Sequence, residues 1–408
     1  MRKNFRKLII ASVILNSFSL VPTIVVNNFP LTSIVQAKVQ MYQGIGEDYA
    51  NEIESQEIAK LRARDKAIRS ATEKAGVYLK SYSRTINAVI TDDEINAVAS
   101  NSYKVVGDVD YQRTINQLSD TVTVIVWKAT VNVNVDDSEI QKWIKRDAEN
   151  KSTIVTQTNE ARKAAEENNK QVEDLRKRAE NIKTEQDKSK LKNEFNKVDN
   201  DFLANQKNKE GLELYYHKDF NGAIKKYNEV LELKPDFYWA YNNRGLAYQD
   251  GFKDYQKAIA DYTKAIQINP NYALAYNNRG YAYNDLKNYN QAIEDLNKAI
   301  QINSNFAYAY YNRGISYQNL KNYNQAIADY TKAIQIDPNY AKAYNNRATA
   351  YWFIKDYKSA INDYTKMIQL NYKLDYAHYW RGRCYQKLGD NSKAEADFAR
   401  AKELGYKG

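Results

Sequence analysis

Between Tyr238 and Lys373 the chain writes one phrase four times: AYNNRGLAYQDGFKDYQKAIADYTKAIQINPNY is followed by near copies beginning at Ala273, Ala307 and Ala341. A recurrence of about 34 residues means that one small structure is built repeatedly and stacked on its neighbours. The phase is marked by Gly211, Gly245, Gly280, Gly314, Ala348 and Gly382, with one extra residue, Gly251, in the second interval. Within a unit, Tyr241, Gly245 and Tyr248 lie three or four apart, as do Ala258, Tyr262 and Ala265, so each set lines one face of a helix. A turn at Gly251 to Asp254 separates the sets, and Pro270 or Pro338 ends the second helix, which proline cannot continue. Each unit is therefore expected to be a helix hairpin. Its small residues let the two backbones approach, and its tyrosines fill the space around them.

The spacing Tyr241-x2-Arg244-Gly245-x2-Tyr248, then Ala258-x3-Tyr262 and Pro270, resembles the tetratricopeptide repeat. Six such units run from about Ala204 to Gly408. The resemblance implies an all-α superhelix whose first helices line a concave face. One departure stands out: Arg244, Arg279, Arg313, Arg347 and Arg381 occupy a slot where the family has leucine. Each is matched by an aspartate in its own second helix, Asp261, Asp295, Asp329, Asp363 or Asp397. The first unit reverses the signs, with Glu210 and Lys226. Pairing with the next unit would set Lys226 against Arg244, so the reversal predicts a bridge within each hairpin. A stripe of arginines open to anions is the alternative.

The ends of the array also carry information. Ile259 and Ile266, with their counterparts at 293 and 300, 327 and 334, and 361 and 368, are expected to face the next unit. In the last unit those slots become Glu395 and Lys402, so the array is expected to cap itself with charge.

At the amino terminus, Arg2, Lys3, Arg6 and Lys7 precede an apolar run from Leu8 to Val26 and a Val35-Gln36-Ala37 end. This is the layout of a secretory signal peptide, residues 1–37, and predicts a mature chain beginning at Lys38. An uncleaved membrane anchor is the alternative. No cysteine lies near the cut, which argues against a lipid-modified terminus. The formal net charge of +10 raises nucleic acid as a partner, but four of those cations lie in the expected leader, and none is assigned.

Residues 38–136 read as a small α+β domain in the order helix-strand-helix-strand-strand. Met41 to Gly46 reads as a turn because of Gly44 and Gly46. A helix follows, with Ile58, Leu61, Ala67, Ile68, Ala71 and Ala75 as its apolar stripe and Gly76 as its close. Val77 to Ile90 reads as a strand, Thr91 and Glu94 as the capping box of a short helix, and Tyr103 to Leu118 and Thr121 to Val135 as a strand pair turned at Ser119 and Asp120. Val131, Val133 and Val135 alternate with Asn132 and Asn134, giving one buried face. The stretch AKLRARDKAIRSATEKAGVYLKSYS, the following TDDEI and the closing VTVIVWKATVNV resemble the amino-terminal domain of flagellar assembly protein T and its relatives among exported bacterial lipoproteins. That resemblance implies a bacterial envelope or surface setting and transfers no catalytic residues.

Residues 137–203 turn to Lys, Glu, Asn and Gln without proline or glycine and read as one or two polar helices acting as a rod-like spacer. Self-association through the seam of Ala161, Ala165, Val172 and Leu175 is an option.

Catalytic chemistry is hard to find. His217 and His378 are the only histidines, and the second stands in a tyrosine slot. No second ligand at zinc spacing, nucleophile motif or phosphate loop accompanies them, and neither a cofactor nor a metal is expected. Cys384, the lone cysteine, stands in an alanine slot and reads as a small buried residue. A binding role remains. The inner helices offer Asn242, Asn243, Asn277, Asn278, Asn312 and Asn346 with Gln249, Asn284, Gln318, Tyr281, Tyr311, Trp352 and Phe353. Amides can pair with an extended peptide backbone and aromatics add apolar contact, which points to an exported adaptor or scaffold that binds protein segments. The alternatives are that these asparagines only tie adjacent repeats together, or that the groove takes a surface glycan.

Overall fold

The computed structural model describes residues 39–407 apart from 52, 86–89, 102, 120–121, 137–147 and 183. The expected leader with its cut after Ala37, and the strand turn at Asp120, lie outside the described residues.

The α+β domain comprises β1 (Val39–Ala50), α1 (Gln56–Thr85), α2 (Asp92–Asn101), β2 (Tyr103–Ser119) and β3 (Val122–Asp136). The sheet is antiparallel in the order β1-β3-β2, with Val39 opposite Asp136 and Tyr103 opposite Val135. Val131, Val133 and Val135 are fully buried, as their alternation predicts. At the start of α2, the Thr91 N–H donates to Glu94 Oε2 at 2.8 Å and the Glu94 N–H to Thr91 Oγ1 at 3.2 Å, closing the expected box.

Two local expectations are corrected. Gly44 and Gly46 lie inside β1 and make no turn. A side chain at either would collide with the α1 backbone at Ala67 or Ala63, so glycine here lets a helix rest directly on a strand. Nor does Gly76 end α1. Ala67, Ala71, Ala75 and Leu79, each fully buried, carry the helical stripe through it to Thr85, which overrides the β-branched content that suggested a strand at Val77 to Ile90. The order is therefore strand-helix-helix-strand-strand.

Two long helices follow, α3 (Ala148–Ala179) and α4 (Glu185–Tyr216). Instead of extending as a rod, they fold back on one another around Val172, Leu175, Leu191, Phe195 and Val198, and Asn168 Nδ2 donates to the Val198 carbonyl at 2.8 Å. A buried ion cluster fastens this pair to the α+β domain. Arg176 of α3 grips Glu54 with two hydrogen bonds of 2.9 Å and reaches Asp48 at 3.0 Å. Arg62 of α1 pairs with Glu54 at 3.3 Å and with Asp199 of α4. Burial pushes the Glu54 carboxyl up, and that of Asp199 to about 6, against the pull of the arginines.

The rest is helix hairpins. Helix α4 runs without a break into the first, where it packs on α5 (Phe220–Leu233). The others are α6 and α7 (Tyr238–Phe252, Tyr255–Ile268), α8 and α9 (Ala273–Asp285, Tyr289–Ile302), α10 and α11 (Ala307–Asn319, Tyr323–Ile336), α12 and α13 (Ala341–Phe353, Tyr357–Gln369), and α14 and α15 (Leu374–Lys387, Asn391–Glu403). A Cβ at Gly245 would stand 2.7 Å from the ring of Tyr262, which is fully buried, so glycine sets how closely that hairpin closes. First helices of successive hairpins touch one another and form the inner row. Ile266, Ile300, Ile361 and Ile368 pack at the edge of the shared core, Ile334 is buried in it, and Glu395 and Lys402 are exposed at the end. Five intra-hairpin turns place a lysine in the left-handed region, at Lys218, Lys253, Lys287, Lys321 and Lys355, with φ between 55° and 64°. There a side chain costs about 1 kcal/mol relative to glycine.

Candidate interaction groove

Each arginine of hairpins two to six is held as the sign reversal predicts. Arg279 donates from Nε and Nη2 to the two oxygens of Asp295, both at 2.7 Å, and Arg244, Arg313, Arg347 and Arg381 make the same forked contact with Asp261, Asp329, Asp363 and Asp397. Lys226 meets Glu210 at 2.6 Å with the charges exchanged. Sequence reasoning missed the third contact. The Nη1 of each arginine reaches back to the preceding hairpin, at Asn228, Thr263, Asn297, Thr331 and Thr365. The bridge within a hairpin thus also bolts it to its neighbour. His378 joins the last of these, with Nδ1 2.7 Å from Asp397, so its slot does more than pack. Cys384 is fully buried, and burial pushes its thiol up to about 12.

The asparagines are placed between repeats. Asn243 Nδ2 donates to Asn208 at 3.2 Å, Asn278 Nδ2 to Asn242 at 3.0 Å, Asn312 Nδ2 to Asn277 at 3.1 Å, and Asn346 Nδ2 to the Tyr311 hydroxyl at 3.2 Å. Within a helix, Asn242 donates to Asn243 and Asn277 to Asn278. The result is an amide ladder threading the inner helices. Asn242, Asn243, Asn277, Asn278 and Asn312 are all buried, the most exposed at 7%. Where Tyr311 replaces the first asparagine of the pair, the Asn312 side-chain oxygen, Oδ1, has no donor among the described residues, although its backbone carbonyl is engaged. Gln249 and Gln318 accept from Tyr262 and Tyr330, and Asn284 donates to the Asn312 carbonyl. These amides stitch the array together and are not a free polar surface.

The inner face stays available where the ladder ends. In the sixth hairpin, Tyr379 and Trp380 stand in the slots of the asparagine pair, beside Tyr376. Trp380 meets Trp352 edge to face at 5.2 Å, and Tyr379 stacks on Tyr406 at 4.2 Å. Arg383 lies over Trp352 and Tyr379, donates to the Tyr379 hydroxyl at 3.0 Å, and makes no ion pair among the described residues. Trp352, Tyr376, Tyr379 and Trp380 are half-buried, as are Tyr281 and Tyr311. Of this patch the sequence reading named Trp352 alone, although the slots of Tyr379 and Trp380 were readable from the period. The other end of the row is partly covered. Lys209 donates to the Tyr103 hydroxyl of β2 at 2.7 Å, and Glu160 of α3 lies by Tyr238 and Trp239, where burial pushes its carboxyl up to about 7. Among the described residues no group of three or more His, Cys, Asp or Glu is placed to hold a metal ion, and no helix is long and apolar enough to cross a membrane.

Family models described as tetratricopeptide repeat match residues 273–306 and 307–340, and 341–373 and 376–404, and one described as TPR repeat matches 211–251 and 253–286. None of these is a catalytic family. The matches begin at residue 211 and leave the resemblance of the α+β domain to flagellar assembly protein T without support. A comparison with curated proteins finds no match. Among solved structures, the chain is similar to Pseudomonas aeruginosa pilF (19% identity, 50% of this chain and 93% of that one, TM-score 0.46). It is also similar to MamA from Desulfovibrio magneticus RS-1 (21% identity, 41% and 95%, TM-score 0.38) and to YrrB, described as a TPR protein with an unusual peptide-binding site (18% identity, 44% and 92%, TM-score 0.39). The carboxy-terminal half of this chain is an array of tetratricopeptide repeats, a scaffold for protein interaction.

Proposed function

We propose that this protein is an exported bacterial adaptor that holds an extended, largely uncharged protein segment on the inner face of its last hairpins, at the cell envelope or surface. The carrying observation is the half-buried aromatic patch of Trp352, Tyr376, Tyr379 and Trp380, which begins where the amide ladder stops. Export rests on the leader-like amino-terminal sequence. The repeat arginines are engaged by aspartates, so a purely acidic tail finds few free cations, and affinity should depend weakly on salt. A glycan reading is less well supported, because Trp352 and Trp380 meet at 80° and cover ring area on which a sugar would stack.

A photo-crosslinking residue placed at 352, compared with one at 264 on the outer helices, tests this in envelope extract. Capture of one protein from position 352 alone, surviving raised salt and reduced about tenfold by Tyr379→Ala, is expected for a buried aromatic anchor. Equal capture from both positions would sink the proposal.

A further inference from the structure

The turns within the last three hairpins form a second surface, away from the inner face. Each carries an exposed apolar residue just before a residue in the left-handed region: Leu320 before Lys321, Ile354 (next to Phe353) before Lys355, and Leu388 before Gly389. Leu320 is 45% exposed, Phe353 55%, Ile354 41% and Leu388 45%. Neighbouring turns lie side by side, since Tyr323 and Phe353 stack at 5.0 Å.

Around these tips stand Lys321, Lys355, Lys358, Lys387 and Lys393, against two aspartates. Both aspartates cap the helix that follows. Asp356 accepts the Ser359 N–H at 3.1 Å, and Asp390 accepts the Lys393 N–H at 3.2 Å and pairs with its Nζ. Lys321, Lys355, Lys358 and Lys387 make no ion pair among the described residues. In the first three turns Asp219, Asp250, Asp254 and Asp285 offset the lysines, so the cationic excess belongs to the last three. Gly389 shows that the turn accepts the unstrained residue. A lysine at Lys321 and Lys355 instead sets an ammonium on the tip at a conformational cost.

We propose that these three turns dock the array on an anionic lipid bilayer, with Leu320, Phe353, Ile354 and Leu388 entering the headgroup boundary and the lysines remaining among the phosphates. A bilayer needs no shaped recess, because it yields to the outline of what docks on it. The aliphatic stems of lysine also lie readily along its apolar margin. The attraction is electrostatic and confined to about a Debye length. It does not depend on what the inner face binds.

Lysine acetylation rates in the full chain, read by mass spectrometry with phosphatidylcholine vesicles with or without phosphatidylglycerol, test the proposal. With anionic vesicles at low salt, Lys321, Lys355 and Lys387 should be protected several-fold, while Lys264 and Lys332 on the second helices should not. Phosphatidylcholine alone should protect none. The triple change Lys321→Gln, Lys355→Gln and Lys387→Gln should lower the vesicle affinity of this surface roughly a hundredfold, at about fivefold per lysine near an anionic surface. Leu320→Ser with Leu388→Ser, confirmed folded by circular dichroism, should weaken the protection of Lys321, Lys355 and Lys387. Uniform protection of all five lysines would mean tethering by another segment, and equal protection by soluble polyglutamate would mean an acidic polymer. Either result, or no protection, overturns the proposal.

Discussion

In hairpins two to six each arginine meets one aspartate from its own second helix, 16 or 17 residues downstream. Arg62 and Arg176, by contrast, share Asp48, Glu54 and Asp199, drawn from β1, the turn after it, and α4. The repeat pairs keep some water, with 20% of the Arg244 side chain exposed, whereas Arg176 retains 3%. A charge pair whose two members lie within one unit can be copied or reversed as a pair, as Glu210 and Lys226 show, at the cost of only the one Nη1 contact to the preceding hairpin. A cluster shared among distant elements must be assembled whole, because removing any one member strands the others in a medium that solvates charge poorly.

The largest test of that contrast is Arg176→Ala. With Glu54 and Asp48 left buried and under-compensated, the α+β domain and helix pair should lose about 3 to 5 kcal/mol. Faster hydrogen exchange in β1, α1, α3 and α4 together, with α8 to α15 unchanged, would show the loss to be shared but confined to that region. If only α3 responds, the cluster is not a unit.

A smaller effect is expected in the repeats. Arg279→Asp or Asp295→Arg alone should cost roughly 2 kcal/mol by urea denaturation, and the two together should recover most of it. Additive losses would break the pairing. At the reversed pair, where Glu210 is 52% exposed, Glu210→Gln should cost less than about 1 kcal/mol.

The smallest effect concerns pH. A carboxyl whose pKa is raised on folding makes the folded state hold more protons than the unfolded one, so stability falls as pH rises from the unfolded value toward the folded value. For Asp199 that window closes at about 6 and for Glu160 at about 7. The urea midpoint of the amino-terminal half should therefore be higher at pH 5 than at pH 8, and Asp199→Asn should flatten the lower part of the slope. A midpoint that rises with pH would contradict the assignment.

These differences also mark what could be read in advance. The Arg and Asp slots recur with the period and carry charge, so one reversed unit was enough to choose the partner. The residues that receive each Nη1 recur just as faithfully, but Asn and Thr carry no sign to reverse, and their role stayed hidden. Asn277 and Asn278 were found on the inner helices, yet only the closeness of neighbouring helices decides whether an amide at that position faces a ligand or another asparagine. Gly44 and Gly46 failed for a related reason, since glycine marks a turn and a close crossing alike. The buried acidic partners of Arg176 lie 122 to 128 residues away, where no periodicity points.

Helix α4 belongs to two structures at once. Over its 32 residues, roughly 48 Å at the usual rise, Leu191, Phe195 and Val198 serve the hairpin with α3, while Ala204 and Gly211 serve the first repeat. There is consequently no joint at which the repeats can be lifted out as a cassette. A cut anywhere from Leu191 to Gly211 splits one continuous rod and bares a core on one side. Growth by duplication stays open only at the turns between later hairpins. Through this one helix the core beside α3 and the core of the first repeat share a single continuous element.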